Sequence, residues 1–242
     1  MFVSLGCDKN LVDTEMMLGQ LSEKGYTFTD DETEADVVVV NTCGFIGDAK
    51  EESINTLLEM EKLKEEGVIK VLIASGCLAQ RYKEEIQKEI PGVDAIIGTM
   101  AIDKITESVD KALAGRSENY FKDISATPVY GKKRIVTTGG HYAYMKIAEG
   151  CDKHCTYCII PKVRGGYRSI PMESLLKEAA ELAVIHSSAY KAGTGAKVAV
   201  DTTEVKNIWK ANGAKPGMVL YEVYTTVYIT PRDGLAEQLK KK

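Results

Sequence analysis

The sequence predicts an α/β protein whose first domain is built on a parallel sheet. Three observations lead there. Short β-branched runs alternate with longer stretches of helical periodicity over residues 1–114. The runs at 35–40 and 68–74 are almost continuously apolar, the pattern of strands buried on both faces. Cys7, Cys43 and Cys77 each fall just past the end of a successive run. In parallel α/β sheets that edge is where ligands bind, because the loops there converge.

The elements follow in order. Residues 2–5 form a short apolar strand ending in Gly6-Cys7, and residues 11–24, with Leu11, Met16, Met17 and Leu21 on one face, form a helix stopped at Gly25. The strand at 35–40 ends in Asn41-Thr42-Cys43-Gly44, and residues 49–66 have the length and period of an amphipathic helix. The strand at 68–74 ends in Ser75-Gly76-Cys77; residues 78–89 are helical and stop before Pro91. A fourth strand is expected at 95–98 and a closing helix at 102–114. Met16, Met17 and Met60 fall at helical spacing and are expected in the core, whereas Asn10, Asp13 and Asn41 read as caps of helices and turns.

Residues 115–140 break the pattern with scattered Gly, Ser, Asn and Pro and a basic Lys132-Lys133-Arg134, as an interdomain linker would. Beyond it, 142–148 reads as a strand, 149–166 as a loop with the remaining cysteines, and 171–185 as a helix.

Composition narrows the function. The chain has 242 residues, six cysteines and a formal charge of −4, which gives no reason to expect tight, purely electrostatic nucleic-acid binding. No apolar run is long enough to span a bilayer, and the first residues lack the features of a signal peptide, so a cytoplasmic protein without membrane contact is expected. Thiols stay reduced there, so the cysteines point to metal or redox chemistry, not a disulfide framework; six buried apolar thiols are the plainer alternative.

Cys151, Cys155 and Cys158 have the spacing C-x3-C-x2-C. Three close thiolates suit an iron–sulfur cluster and leave one iron open for a substrate or cofactor. Structural zinc is the competing reading, but zinc sites usually use C-x2-C pairs, and His154 inside the loop reads as an exposed loop residue. Lys162, Arg164 and Arg168 are candidates to meet an acidic substrate or a cofactor carboxylate, or else form a solvated basic face.

With an aromatic, Tyr157, before its last cysteine, this loop resembles the radical-SAM signature. The wider stretch from Tyr144 to Pro161, with Arg164-Gly165 and Tyr167-Arg168-Ser169, resembles the radical-SAM methylthiotransferases. So do Ser4-Leu-Gly-Cys-Asp-Lys-Asn-Leu-Val-Asp13, Asn41-Thr-Cys-Gly-Phe-Ile46 with Ala49-Lys-Glu-Glu-Ser53, and Ser75-Gly-Cys-Leu-Ala-Gln-Arg-Tyr82. The likeness runs from residue 1 to about 180. Its details are nearest the branch that adds a methylthio group to an aspartate of a small-subunit ribosomal protein; enzymes that modify a tRNA adenosine are the near alternative.

The resemblance implies two 4Fe–4S clusters and S-adenosylmethionine. Cys151, Cys155 and Cys158 would hold the cluster whose open iron chelates the cofactor, which is reductively cleaved to a 5′-deoxyadenosyl radical. Cys7, Cys43 and Cys77 would hold the auxiliary cluster, with an open iron for the transferred sulfur. Tyr157 would lie near the adenine, its plainer reading being packing under the loop. A flavodoxin or ferredoxin would supply electrons, and the ribosomal protein on its ribosome would be the substrate partner.

Beyond about Leu182 the likeness fails. The resemblance gives domains at 1–114, a linker at 115–140, the start of a radical-SAM β/α barrel at 141–182, and an α+β tail at 183–242. The Gly-Gly-Glu-like stretch and the RNA-binding-type C-terminal domain of the family are missing. Residues 178–232 instead resemble the C-terminal end of the NFACT-type RNA-binding domain of ribosome quality-control (fibronectin-binding-like) proteins. Lys206, Lys210 and Lys215 with Trp209 and Tyr221 would then be candidates for an RNA surface. The two likenesses meet inside a helix, at Leu176-Lys-Glu-Ala-Ala-Glu-Leu-Ala183, the mark expected of a chimeric gene or a misjoined sequence. An incomplete barrel leaves strand edges unpaired, which argues against turnover by such a chain. An RNA- or ribosome-binding module carried by the tail is the alternative function.

Overall fold

A computed structural model describes the backbone of residues 1–138 and 142–191, and side chains through Leu182 outside the 139–141 gap. The tail strands expected after residue 191, and with them the tail's candidate RNA-contact residues, lie outside the described residues. The chain divides into two compact units: residues 1–135 with 148–168, and residues 136–147 with 169–242.

The first unit is built on a four-stranded parallel sheet in the order β1 (Phe2–Ser4), β2 (Val37–Thr42), β3 (Val71–Ser75), β4 (Ala95–Ile97). Val38 pairs with Leu72 and Ile73 with Ala95, so the strand ends stand level at the carboxyl edge. Helix α1 (Asp8–Glu23) follows β1, α2 (Gly47–Glu65) follows β2, α3 (Gly76–Arg81) and α4 (Lys83–Glu89) follow β3, and α5 (Ile105–Leu113) follows β4 after a 3₁₀ turn. Both sheet faces are covered. Val38, Val40, Leu72, Ala74 and Ile96 pack with Leu57 and Met60 of α2, while Val39 and Ile73, pointing the other way, are also buried. Helices α1 and α5 pack against each other and against the strands. Met16 and Met17 are in the core, as their spacing predicts. The β-branched runs are therefore doubly buried strands, as the sequence implies.

Several boundaries move. Helix α1 begins directly after Cys7, three residues earlier than expected, which brings Asn10 and Asp13 inside its first turns. The helix predicted at 78–89 breaks at Tyr82, whose backbone (φ −116°, ψ 34°) leaves the helical region. No Gly or Pro marks that break in the sequence.

Residues 116–135 do not hang free between units. Tyr120 bridges to Ile97 at the β4 edge and is buried, and Arg134 is buried against Glu15 of α1. Ile135 N–H donates to the Glu15 carbonyl (3.1 Å). The strand predicted at 142–148 is regular only at β5 (Ala148–Glu149). An apolar run becomes a ladder only where a neighbour offers backbone partners, and the run does not encode that neighbour. Helix α6 (Ile160–Arg164) leaves the cysteine loop.

In the second unit α7 spans Met172–Lys191, extending beyond the predicted 171–185 and running through the point where the two sequence likenesses meet. Leu175, Leu176 and Leu182 are buried, as are Ala143 and Ile170, and Ile170 N–H donates to the Ile147 carbonyl (2.9 Å).

Candidate functional site

The carboxyl ends of β1, β2 and β3 are tied together by side chains. Asn10 Nδ2 donates to the carbonyls of Leu5 (2.9 Å) and Thr42 (3.0 Å), bridging the ends of β1 and β2. The Thr42 hydroxyl donates to the Ser75 carbonyl (2.5 Å) and accepts from Ala79 N–H (3.1 Å), fixing the ends of β2 and β3 and the start of α3. Asn41 Nδ2 donates to the Asn10 carbonyl (2.8 Å) and Thr14 Oγ1 (2.9 Å). Asn10 and Asn41 therefore cross-link loops around the cysteines, where their types had suggested caps of helices and turns. The N-cap of α1 is Cys7, with no side-chain cap bond.

Cys7 is exposed at this edge, while Cys43 and Cys77 are buried. Ser53 of α2 clamps Cys43: its hydroxyl accepts from Cys43 N–H (2.9 Å) and lies 3.0 Å from the Cys43 carbonyl. Gly76, at φ +92°, passes so close to Asn41 and Thr42 that a Cβ there would collide with both, so the turn that presents Cys77 requires glycine. The topology thus brings the three strand-end cysteines to one edge. Among the described residues no three His, Cys, Asp or Glu side chains stand close enough to hold a metal ion.

Cys151, Cys155 and Cys158 lie on the loop between β5 and α6. Cys155 is exposed and the other two are partly so. Lys153 N–H points at Cys151 Sγ (3.4 Å), and Cys158 N–H donates to the Cys155 carbonyl (3.0 Å). The loop starts at Gly150 (φ +73°), where a Cβ would strike the carbonyls of Gly165 and Gly166. Tyr157 is 86 % exposed, so it does not pack under the loop. His154 is exposed, as its position implied.

The two cysteine groups belong to the same compact unit and are joined by Arg164, at the end of α6. This arginine is not on a solvated basic face: only 3 % of its side chain is exposed. Its Nε donates to Cys77 Sγ (3.3 Å), Nη2 to Asn10 Oδ1 (2.6 Å), and Nη1 to Glu149 Oε2 (3.0 Å), while Nη2 is also 3.0 Å from Asp13 Oδ2. Burial opposes its charge, but Cys77, Glu149 and Asp13 outweigh it and hold the guanidinium protonated well beyond its ordinary range. The Cys77 thiol is pushed up by burial, with Arg164 pulling the other way. Lys9 adds a second cation, 3.6 Å from Glu149 Oε1. Ile159 and Val163 pack on Cys77 from the exit of the second loop. Lys162 remains exposed, and Arg168 donates to the Arg164 carbonyl (2.9 Å).

Glu149 was not singled out by the sequence, although an acidic residue directly before Gly-Cys carries a hint of it. Its side chain is fully buried. Asp13 lies three residues after Asn10 on the same helix face, a spacing that capping did not explain.

Residues 1–98 match the model of the family described as "Uncharacterized protein family UPF0004". The chain is 61% identical over 178 residues to the ribosomal protein uS12 methylthiotransferase RimO of Lachnoclostridium phytofermentans, a match covering 74% of this chain and 40% of that protein. It is 50% identical over 180 residues to the same-named protein of Thermoanaerobacter sp., covering 74% and 41%, and 47% identical over 188 residues to that of Acetivibrio thermocellus, covering 75% and 41%. The chain spans about two fifths of the length of the curated relatives it matches. Over some three quarters of its length, this chain is similar in sequence to proteins named ribosomal protein uS12 methylthiotransferase RimO.

Proposed function

We propose that the chain carries the cluster-bearing front part of a methylthiotransferase that adds a methylthio group to an aspartate of ribosomal protein uS12. The observation that carries this reading is the joining of two cysteine triads in one compact unit, with Arg164 reaching from the exit of the second loop to Cys77.

The donor set suits iron–sulfur clusters. Each group offers three thiols, and the buried carboxylates Asp13 and Glu149 are engaged by Arg164. Cys7, Cys43 and Cys77 would hold the auxiliary 4Fe–4S cluster; Cys151, Cys155 and Cys158 would hold the second, beside which S-adenosylmethionine binds. When bound, these groups supply the electron that cleaves the cofactor and the sulfur that is methylated and handed on. The chain's own residues position and shield. Asn10, Thr42 and Ser53 fix the backbones that present the first triad, and Gly150 lets the second loop close against residues 165–166. Exposed Tyr157 is free to stack on a bound adenine.

Among the described residues no helix is long and apolar enough to cross a membrane. A cytoplasmic site of action, a flavodoxin or ferredoxin as electron donor, and contact of the tail with RNA complete the proposal.

The test supplies the anaerobically reconstituted, reduced protein with S-adenosylmethionine and uS12. Expected are 5′-deoxyadenosine and a methylthiolated uS12 peptide by mass spectrometry, both lost in Cys151→Ala. Fully loaded protein that yields neither would overturn the catalytic reading. Modification of tRNA adenosine instead would move the substrate from protein to RNA.

A further inference from the structure

We infer that Arg164 is a positioning residue for the auxiliary site, setting the orientation and electronic environment of Cys77 from the far end of the second cysteine loop. The inference rests on the proposed reading of Cys77 as a cluster ligand.

The geometry is specific. A buried guanidinium presents its donors in a fixed fork, and here each arm has an assigned acceptor. Nε meets Cys77 Sγ (3.3 Å), Nη1 meets Glu149 (3.0 Å), and Nη2 meets Asn10 Oδ1 (2.6 Å) and Asp13 (3.0 Å). Glu149 lies two residues before Cys151, and Asn10 three residues after Cys7. Asn10 Oδ1 also faces Cys77 Sγ at 3.8 Å. One side chain thus touches Cys77 directly and the neighbourhoods of Cys7 and Cys151 through single partners. The backbone that carries Arg164 is itself held, since the Thr99 hydroxyl, just after β4, donates to the Val163 carbonyl (2.7 Å).

The physical consequence follows from charge and hydrogen bonding. A donor and a positive charge at a ligating sulfur stabilise the more negative, reduced state of a cluster and raise its reduction potential. Asp13 and Glu149 orient the guanidinium, so that its Nε faces sulfur instead of a carboxylate. Lysine could keep the charge but not the fork.

The experiment isolates the auxiliary site by combining Cys151→Ala, Cys155→Ala and Cys158→Ala, then introduces Arg164→Gln or Arg164→Lys. Iron and sulfide per chain are counted after anaerobic reconstitution, and the midpoint potential is read by EPR-monitored titration. Arg164→Gln is expected to lower the potential by about 59 mV or more, a tenfold change for a one-electron couple. Arg164→Lys should move it the same way by less. Leu57→Ala, a fully buried core change in α2, serves as the control for lost stability alone and should leave the potential in place. Should Arg164→Gln fail to fold or to load, the Arg164→Lys shift decides. An unchanged potential in a loaded Arg164→Lys or Arg164→Gln protein overturns the inference while leaving the cluster reading intact. No iron in the triple variant with native Arg164 overturns both.

Discussion

Replacing Arg134 by methionine should destabilise the first unit severely, and the structure gives the scale. Arg134 lies on the strap formed by residues 116–135 and pairs with Glu15 of α1. The two side chains are 3% and 1% exposed. Removing one member of so deeply buried a pair leaves the other charge without that partner in a poorly polarisable interior, a loss of about 3–5 kcal/mol. That is a large share of the roughly 5–15 kcal/mol that holds a typical protein folded. At about 2–4 °C per kcal/mol for a domain of this size, the melting temperature should drop by about 6–20 °C. Urea unfolding followed by circular dichroism would report a lower midpoint at unchanged slope. Because the loss comes from the buried carboxylate deprived of its guanidinium and not from the strap's own packing, adding Glu15→Leu should restore most of it. A single variant that loses less than about 1 kcal/mol, or a double variant no better than the single, would mean that the buried pair does not hold the strap.

Three further outcomes are expected. Gly19→Ala, ordinarily stabilising inside a helix by about 0.5–1 kcal/mol, should here destabilise, because the added Cβ collides with the Lys133 carbonyl where the strap crosses α1; thermal melts decide the sign. Tyr26, whose hydroxyl donates to Asp110 (2.5 Å), is pushed up to about 12 by burial and by that carboxylate. Since the folded state keeps this proton more tightly than the unfolded chain, its contribution is complete below pH 10 and is lost as pH rises towards 12; in Tyr26→Phe the stability curve should be flatter over that window. Tyr157→Ala should change stability by less than about 0.5 kcal/mol, as befits an exposed side chain. By calorimetry on the reconstituted protein it should weaken S-adenosylmethionine binding by about 5- to 150-fold, the worth of one stacked base.

What could be read from the sequence was whatever is encoded locally. The doubly buried runs of β2 and β3 carry their own signature, and so does the placement of Cys7, Cys43 and Cys77 after successive strands. The break at Tyr82 was not legible, because a run of good helix formers contains nothing that forbids continuation. Nor was the role of Arg164. Its contacts with Asn10, Asp13 and Cys77 span 87 to 154 positions, and a basic residue beside a cysteine loop looks the same in sequence whether it faces water or a buried carboxylate. Asn10 and Asp13 misled for a related reason: their types are those of caps, and only the start of α1 at Asp8 shows that they face inward. The strap was read as a linker because of its scattered Gly, Ser and Pro, while the residues that hold it, Tyr120 and Arg134 among them, are single positions.

Two cysteine triads that each hold a cluster fix the metal content of the chain, which iron and sulfide counting after anaerobic reconstitution reads out. About eight irons and eight sulfides per chain are expected, falling to about four of each in Cys151→Ala and likewise in Cys77→Ala. Negligible iron, or zinc bound in its place, would rule out both clusters.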